Sequence, residues 1–190
     1  MIKDRIMPVS GLKLTVQTFS AQGLDLVEPE PLLADLNSWH GFPENLFDGY
    51  YFVRANEKLI RIVAPPLDLP LAPALDRVGL DFLRIDMAVP RLTTAAAMTF
   101  ARYAVQNVVD TDRDQCDRYL GRKPIVLTPQ QLDRCTDRGT VLLRHYGHGL
   151  GLGFLQSTRP EDETFSTVRS LYPKAFAADL DGTSAFGNPS

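Results

Sequence analysis

Hydrophobic positions along the chain recur with two periods. Lys13 to Phe19 alternates apolar and polar residues as a half-buried strand does, whereas Leu32, Leu33, Leu36 and Trp39 recur at helical spacing. A helix of about two to three turns is predicted from Pro31. Gly49 to Arg54 and Leu59 to Val63 read as strands joined by Ala55 to Lys58, a hairpin-length link with Asn56 as its turn residue. Pro65, Pro66, Pro70 and Pro73 then interrupt regular structure and mark the best boundary. Gly79 to Ile85 is predicted as a strand. A helix capped by Thr93 or Thr94 is expected to run to about Asn107, turning Ala97, Phe100, Ala101, Ala104, Val105 and Val108 inward.

Asp112 opens a shorter helix with Cys116, Tyr119 and Leu120 inward and Gly121 as its stop. Pro124 to Leu127 is predicted as a strand, Pro129 to Cys135 as a helical turn, and Thr140 to Gln156 as a hairpin. A charged loop around Arg159 to Glu163 leads to a last strand near Thr167 to Tyr172. After Leu180 the chain is turn-rich and expected to be mobile.

The hairpin carries the most informative pattern. If strand alternation holds, Leu150, Leu152 and Phe154 share one face and Gly149, Gly151 and Gly153 the other. A strand interior normally avoids glycine, so three in register imply a close approach to the backbone. Either RNA reaches this bare face, or the alanine-rich helix or a neighbouring strand packs there, and the two can hold at opposite ends.

Composition narrows the class. With 190 residues, 44% of them hydrophobic, the chain can build a core without staples. Cys116 and Cys135 stand outside any CxxC spacing, and Met1 to Ser10 lacks an apolar core of signal length, so a cytoplasmic protein with reduced thiols is expected. No apolar run approaches membrane-spanning length. The net charge of -3 is unevenly spread: residues 1–90 carry 8 Lys/Arg against 12 Asp/Glu, and residues 91–174 carry 12 against 9. The basic second half suits contacts with phosphate.

Three segments in order, Tyr119-Leu120-Gly121, Leu150-Gly151-Leu152-Gly153-Phe154 and Arg169-Ser170-Leu171-Tyr172-Pro173-Lys174, match a "yLxGxxI" element, an "LGxGxh" strand and a short basic closure ending in Pro-Lys. In this the chain resembles the C-terminal PUA-like RNA-binding region of RsmF-type RNA cytosine methyltransferases, over roughly residues 75–178. The resemblance implies an α+β fold, an N-terminal α/β module (1–74) packed on a C-terminal PUA-like β-barrel region (75–180), with a tail at 181–190. It does not extend to catalysis. The glycines do not form GxGxxG, and neither cysteine follows a proline as the catalytic one does in that family.

The expectation is therefore a non-enzymatic RNA-binding protein without metal or cofactor. Its partner would be structured rRNA or tRNA, in company with a separate RNA-modifying enzyme or ribosomal particle. Candidate contacts are Arg144, His148, Arg169 and Lys174 from neighbouring hairpin and closure segments, Lys123 and Arg122 before a strand, and Arg91 and Arg102 beside the long helix. Gly149, Gly151 and Gly153 would admit the backbone. Tyr146 and Tyr172 could stack on unpaired bases, although buried ring packing is the commoner fate of tyrosine. His145 and His148 lack the further ligands a metal would need. The acidic first half supports one alternative, a protein-interaction module on the same fold.

Overall fold

A computed structural model describes residues 24–64, 78–87, 89–136, 138–156 and 166–178, together with the strand pairs 8–9 and 12–13. Helices and sheets coexist in an α+β fold. Met1–Ser38 with Phe42–Ala96 form one compact unit, and Trp39–Gly41 with Ala97–Ser190 form another. Residues 14–19 of the first predicted strand, the proline stretch 65–73, the charged loop 159–163 and the tail after 180 lie outside the described residues.

In the first unit β1 (Pro8–Val9) pairs with β2 (Leu12–Lys13). A separate antiparallel sheet runs in chain order through β3 (Asp25–Leu26), β4 (Tyr51–Asn56), β5 (Leu59–Val63), β6 (Leu80–Arg84) and β7 (Arg91–Leu92). The β4–β5 turn closes as its asparagine foretells, with the Lys58 amide donating to Asn56 Oδ1 at 2.9 Å. Phe47, Phe52 and Phe82 meet edge to face in the core, with centroids 5.3–6.5 Å apart. Strands β6 and β7 extend this sheet and belong with the first unit. Helix α1 (Glu30–His40) forms where the leucine spacing predicts it.

Helix α2 spans Thr94–Phe100, capped by Thr93, whose Oγ1 accepts from the Ala96 amide at 3.1 Å. It tightens to a 3-10 turn over Ala101–Tyr103 and stops at the extended Ala104. The continuous helix expected to Asn107 is thus corrected: Val105, expected inward, is exposed, and Val108–Asp110 forms strand β8. Asn107 explains the change of direction. Its backbone takes a positive φ of 48°, its amide Nδ2 donates to the Trp39 carbonyl, and its Oδ1 accepts from the Thr136 amide. A buried asparagine so fully bonded favours the turn over helix continuation.

After β8 come α3 (Arg113–Leu120), β9 (Ile125–Val126), α4 (Pro129–Leu132), β10 (Gly139–His145), β11 (His148–Gln156), β12 (Thr167–Ser170) and α5 (Lys174–Ala178). Capping boxes Asp112/Gln115 and Thr128/Gln131 start α3 and α4. The sheet order is β8-β10-β11-β12-β9, with β8 parallel to β10 and every other pair antiparallel. Tyr119 of α3 packs with Val109, Ile125, Val141, Leu143, Leu155 and Val168 to form the core of this unit. Its hydroxyl donates to the Leu152 carbonyl at 3.0 Å, and Ser170 Oγ donates to the Tyr119 carbonyl at 2.8 Å.

A bulge corrects the simple alternation of β11. Leu143 pairs with Gly151 and Arg144 with Gly149, leaving Leu150 as the extra residue. Leu150 therefore packs against the core on the side of Leu155, away from Leu152 and Phe154. Gly151 absorbs the kink at φ 139°.

The bulge also breaks up the bare face expected along the glycines: Gly149, paired with Arg144, lies on the opposite side of the sheet from Gly151 and Gly153, and protein fills both sides. A β-carbon at Gly149 would strike the carbonyls of Ala97 and Met98 at the end of α2, and one at Gly153 would strike Val168 and, at 2.8 Å, Leu143 Cδ1. Gly149→Ala should lower stability by about 2 kcal/mol in urea denaturation, since the obstructing atoms are backbone.

Burial also depresses His40, whose imidazole falls to about 4 from 6.5. The folded state holds it neutral while the unfolded chain protonates first as pH falls. Its contribution is therefore complete above pH 6.5 and is lost progressively toward pH 4, about 3 kcal/mol in all. Urea midpoints at pH 7 and 4.5 should diverge less in His40→Gln than in the wild type.

Candidate nucleic-acid interface

The cations of the second unit divide by what holds them. Arg144 on β10 is held by a carboxylate: its Nε bonds Asp110 Oδ1, and its Nη2 donates to Asp110 Oδ2 at 3.0 Å. Its Nη1 donates to the Ala104 carbonyl at 3.2 Å and reaches those of Ala101 and Arg102 at 3.5 Å. Only 16% of the side chain is exposed. Arg134 adds a second ion pair to Asp110 at 2.5 Å, and the two guanidiniums keep that carboxyl below its usual range. Arg144, expected to contact RNA, is therefore a structural clamp that satisfies the carbonyls left open where the helical segment ends.

Another group gathers where α3 gives way to β9 and where β12 runs into α5. Gly121 ends α3, and Arg122 follows with a positive φ of 58°. The Arg122 guanidinium donates to the Tyr172 carbonyl, and Arg118 Nε donates to the Pro124 carbonyl at 3.0 Å. Carbonyls orient these side chains without cancelling their charge. Lys123 is exposed beside them, and Lys174, also exposed, stands two residues beyond Tyr172. Arg169 projects from β12 over the Phe154 ring at 5.7 Å, and Arg138 meets the same ring at 5.7 Å. Phe154 and Arg169 are direct cross-strand partners. Among the described residues, no carboxylate pairs with Arg118, Arg122, Lys123, Arg169 or Lys174.

The remaining expected positions scatter. Arg91 lies on β7 of the first unit, paired with Arg84 across the sheet, and its buried Nε has no hydrogen-bond partner among the described residues. Arg102 is exposed on the 3-10 turn, its guanidinium 5.5 Å from the Tyr103 ring. His148 is exposed opposite His145 at the tip of the β10–β11 hairpin. Gly149 and Gly153 are blocked by protein, and Gly151 is buried in the bulge. Tyr172 packs its ring on Tyr119 at 5.5 Å and Phe176 at 6.1 Å, the packing that competes with the base-stacking role expected of it.

Sequence reasoning passed over Arg118, Arg122 in its anchored role, Arg138 and Phe154. The available signal for Phe154 and Arg169 was the register of two strands, which requires the length of the loop between them to be resolved into a pairing.

Among the described residues, no group of three or more His, Cys, Asp or Glu could hold a metal, and no helix is long and apolar enough to cross a membrane. Burial raises the Cys116 and Cys135 thiols above their ordinary value, which disfavours thiolate chemistry. No family model matches the chain, and no curated protein matches it.

Replacing Arg144 with Met should destabilise the protein by about 3 kcal/mol in chemical denaturation, since it strands helix-end carbonyls and weakens the hold on Asp110.

Proposed function

We propose that the second unit is a PUA-like RNA-binding module that grips phosphates of structured rRNA or tRNA. In this reading the protein is an accessory factor in ribosome biogenesis or RNA modification, working beside a separate modifying enzyme or a ribosomal particle and catalysing no reaction itself. One observation carries the reading. Arg118 and Arg122 are oriented by carbonyl oxygens at the α3–β9 turn, where Lys123 stands exposed, Arg122 ties that turn to Tyr172 just before the exposed Lys174, and Arg169 lies over Phe154 farther back on β12. Such a group keeps its positive charge and presents it in a fixed arrangement, as recognition of a phosphate backbone requires. The three ordered motifs that resemble the PUA-like region lie in the segments that build this surface, at Tyr119–Gly121, Leu150–Phe154 and Arg169–Lys174.

Recognition of this kind rests on shape and phosphate spacing more than on base sequence. The proposed footprint differs from the one first expected. It leaves out the glycine face and Arg144, and centres on the β12–α5 closure and the α3–β9 turn. Exposed Val126 and Phe176 border the same surface and favour, as a second reading, a protein-docking module on this fold.

Affinity for transfer RNA and for a ribosomal RNA fragment, measured across a salt series, should fall linearly on logarithmic axes. Arg169→Ala with Lys174→Ala should weaken binding, flatten the slope by about 2, and leave the thermal midpoint nearly unchanged. Salt-independent binding, or wild-type affinity in the double variant, would remove the patch from consideration.

A further inference from the structure

The tip of the β10–β11 hairpin is built against two ordinary preferences at one residue. His145 and His148 form the closing pair, so Tyr146 and Gly147 are the two turn residues. Both have positive φ, 48° and 79°, as the tight turns matching strand twist demand. Asparagine or aspartate followed by glycine meets that demand at low cost; a tyrosine does not. Tyr146 is also 87% exposed, the largest exposure among the large hydrophobic residues described. Neither local conformation nor core packing accounts for an aromatic residue here.

One neighbouring ring touches Tyr146. The His145 imidazole lies 4.3 Å from it, centroid to centroid, tilted by 55°. His145 is in turn oriented through Nδ1, which is 2.8 Å from the Thr111 carbonyl and therefore carries the proton of that hydrogen bond. Thr111 is itself tied to β10, its amide donating to the Arg144 carbonyl at 2.9 Å and its hydroxyl at 3.0 Å. A chain of bonds thus runs from the β8 end through His145 to one open aromatic face. Next to His145 in the strand, Arg144 is ion-paired to Asp110, which Arg134 also holds.

We infer that Tyr146 is a stacking platform for an unpaired base, with His145 as the residue that positions it. An aromatic residue touched by one tilted imidazole and otherwise open to solvent suits the flat face of a nucleobase. Such stacking tolerates any base. His148, exposed across the turn, lies where a neighbouring sugar or phosphate could be reached. This inference rests on the proposed RNA-binding function and adds a second, chemically different contact: the basic patch would hold phosphate of any RNA, whereas Tyr146 would act only on nucleotides outside a duplex.

The full chain, titrated with a hairpin RNA bearing 2-aminopurine in its loop and with a fully paired duplex of equal length, separates the two. Tyr146→Ala should weaken hairpin binding roughly 5- to 100-fold and abolish quenching of the loop fluorophore, while duplex affinity stays unchanged. Tyr146→Phe should restore both affinity and quenching, since only the ring is needed. Tyr146→Asn should lose hairpin affinity while raising the thermal midpoint by roughly 2 to 4 °C, because asparagine suits the backbone. Unchanged hairpin affinity in Tyr146→Ala, or a lowered midpoint in Tyr146→Asn, would overturn the platform and leave the patch standing. Absence of binding to either RNA by the wild-type chain would instead overturn the RNA-binding reading itself.

Discussion

The second unit depends on how the polypeptide leaves a helix and enters a strand within a few residues. Between Ala101 and Val108 the carbonyls of a terminating helical segment must find donors in a buried setting. One guanidinium provides them, and one carboxamide secures the turn that follows. Arg144 reaches the carbonyls of Ala101, Arg102 and Ala104 while gripping Asp110, and Asn107 bonds Trp39 and Thr136 from the inside of the turn. With those donors in place β8 can lie parallel to β10, and the end of α2 can settle onto Gly149, where a side chain would collide.

This arrangement explains which parts of the structure were legible in the sequence. Elements governed by local chemistry were readable: α3 between Asp112 and Gly121 and the Asn56 turn follow from caps and turn residues that act within a few positions, and the helical turn from Pro129 forms but ends at Leu132, short of the expected Cys135. The end of α2 was not, because alanine-rich spacing favours continuation and the groups that halt it are drawn from distant residues. Strand β8 was hidden for the same reason. Its Val108-Val109 pair fits a helical stripe as well as a ladder until the partner Leu142–Leu143 is known. The bulge at Leu150 is likewise a property of pairing, and it moved one leucine across the sheet.

The charge pattern was partly legible. A basic second half was visible, but a count of cations does not distinguish a guanidinium spent on a carboxylate from one resting on a carbonyl. Arg144 and Arg169 looked alike in sequence, each near the glycine hairpin, yet one is ion-paired to Asp110 and the other lies over Phe154. The separation follows from strand position. Arg144 sits beside β8, whose last residue is acidic, whereas Arg169 sits between Phe154 and a short edge strand that offers no acid. Side chains that keep their charge near a surface dominate the local potential, so the electrostatic character of this unit is set by a few residues.

The placement of Trp39–Gly41 has a practical consequence for dissecting the molecule. The Trp39 indole donates to the Thr140 carbonyl across 101 positions of chain, the Trp39 carbonyl receives Asn107, and the His40 carbonyl receives the amides of Val105 and Gln106. A fragment cut to begin near residue 97 would retain every strand of the second sheet and still lack three residues that complete its interior bonding. An excised piece of that kind is therefore an unsound surrogate for the intact polypeptide, and expression boundaries are better drawn to include the segment around residue 40.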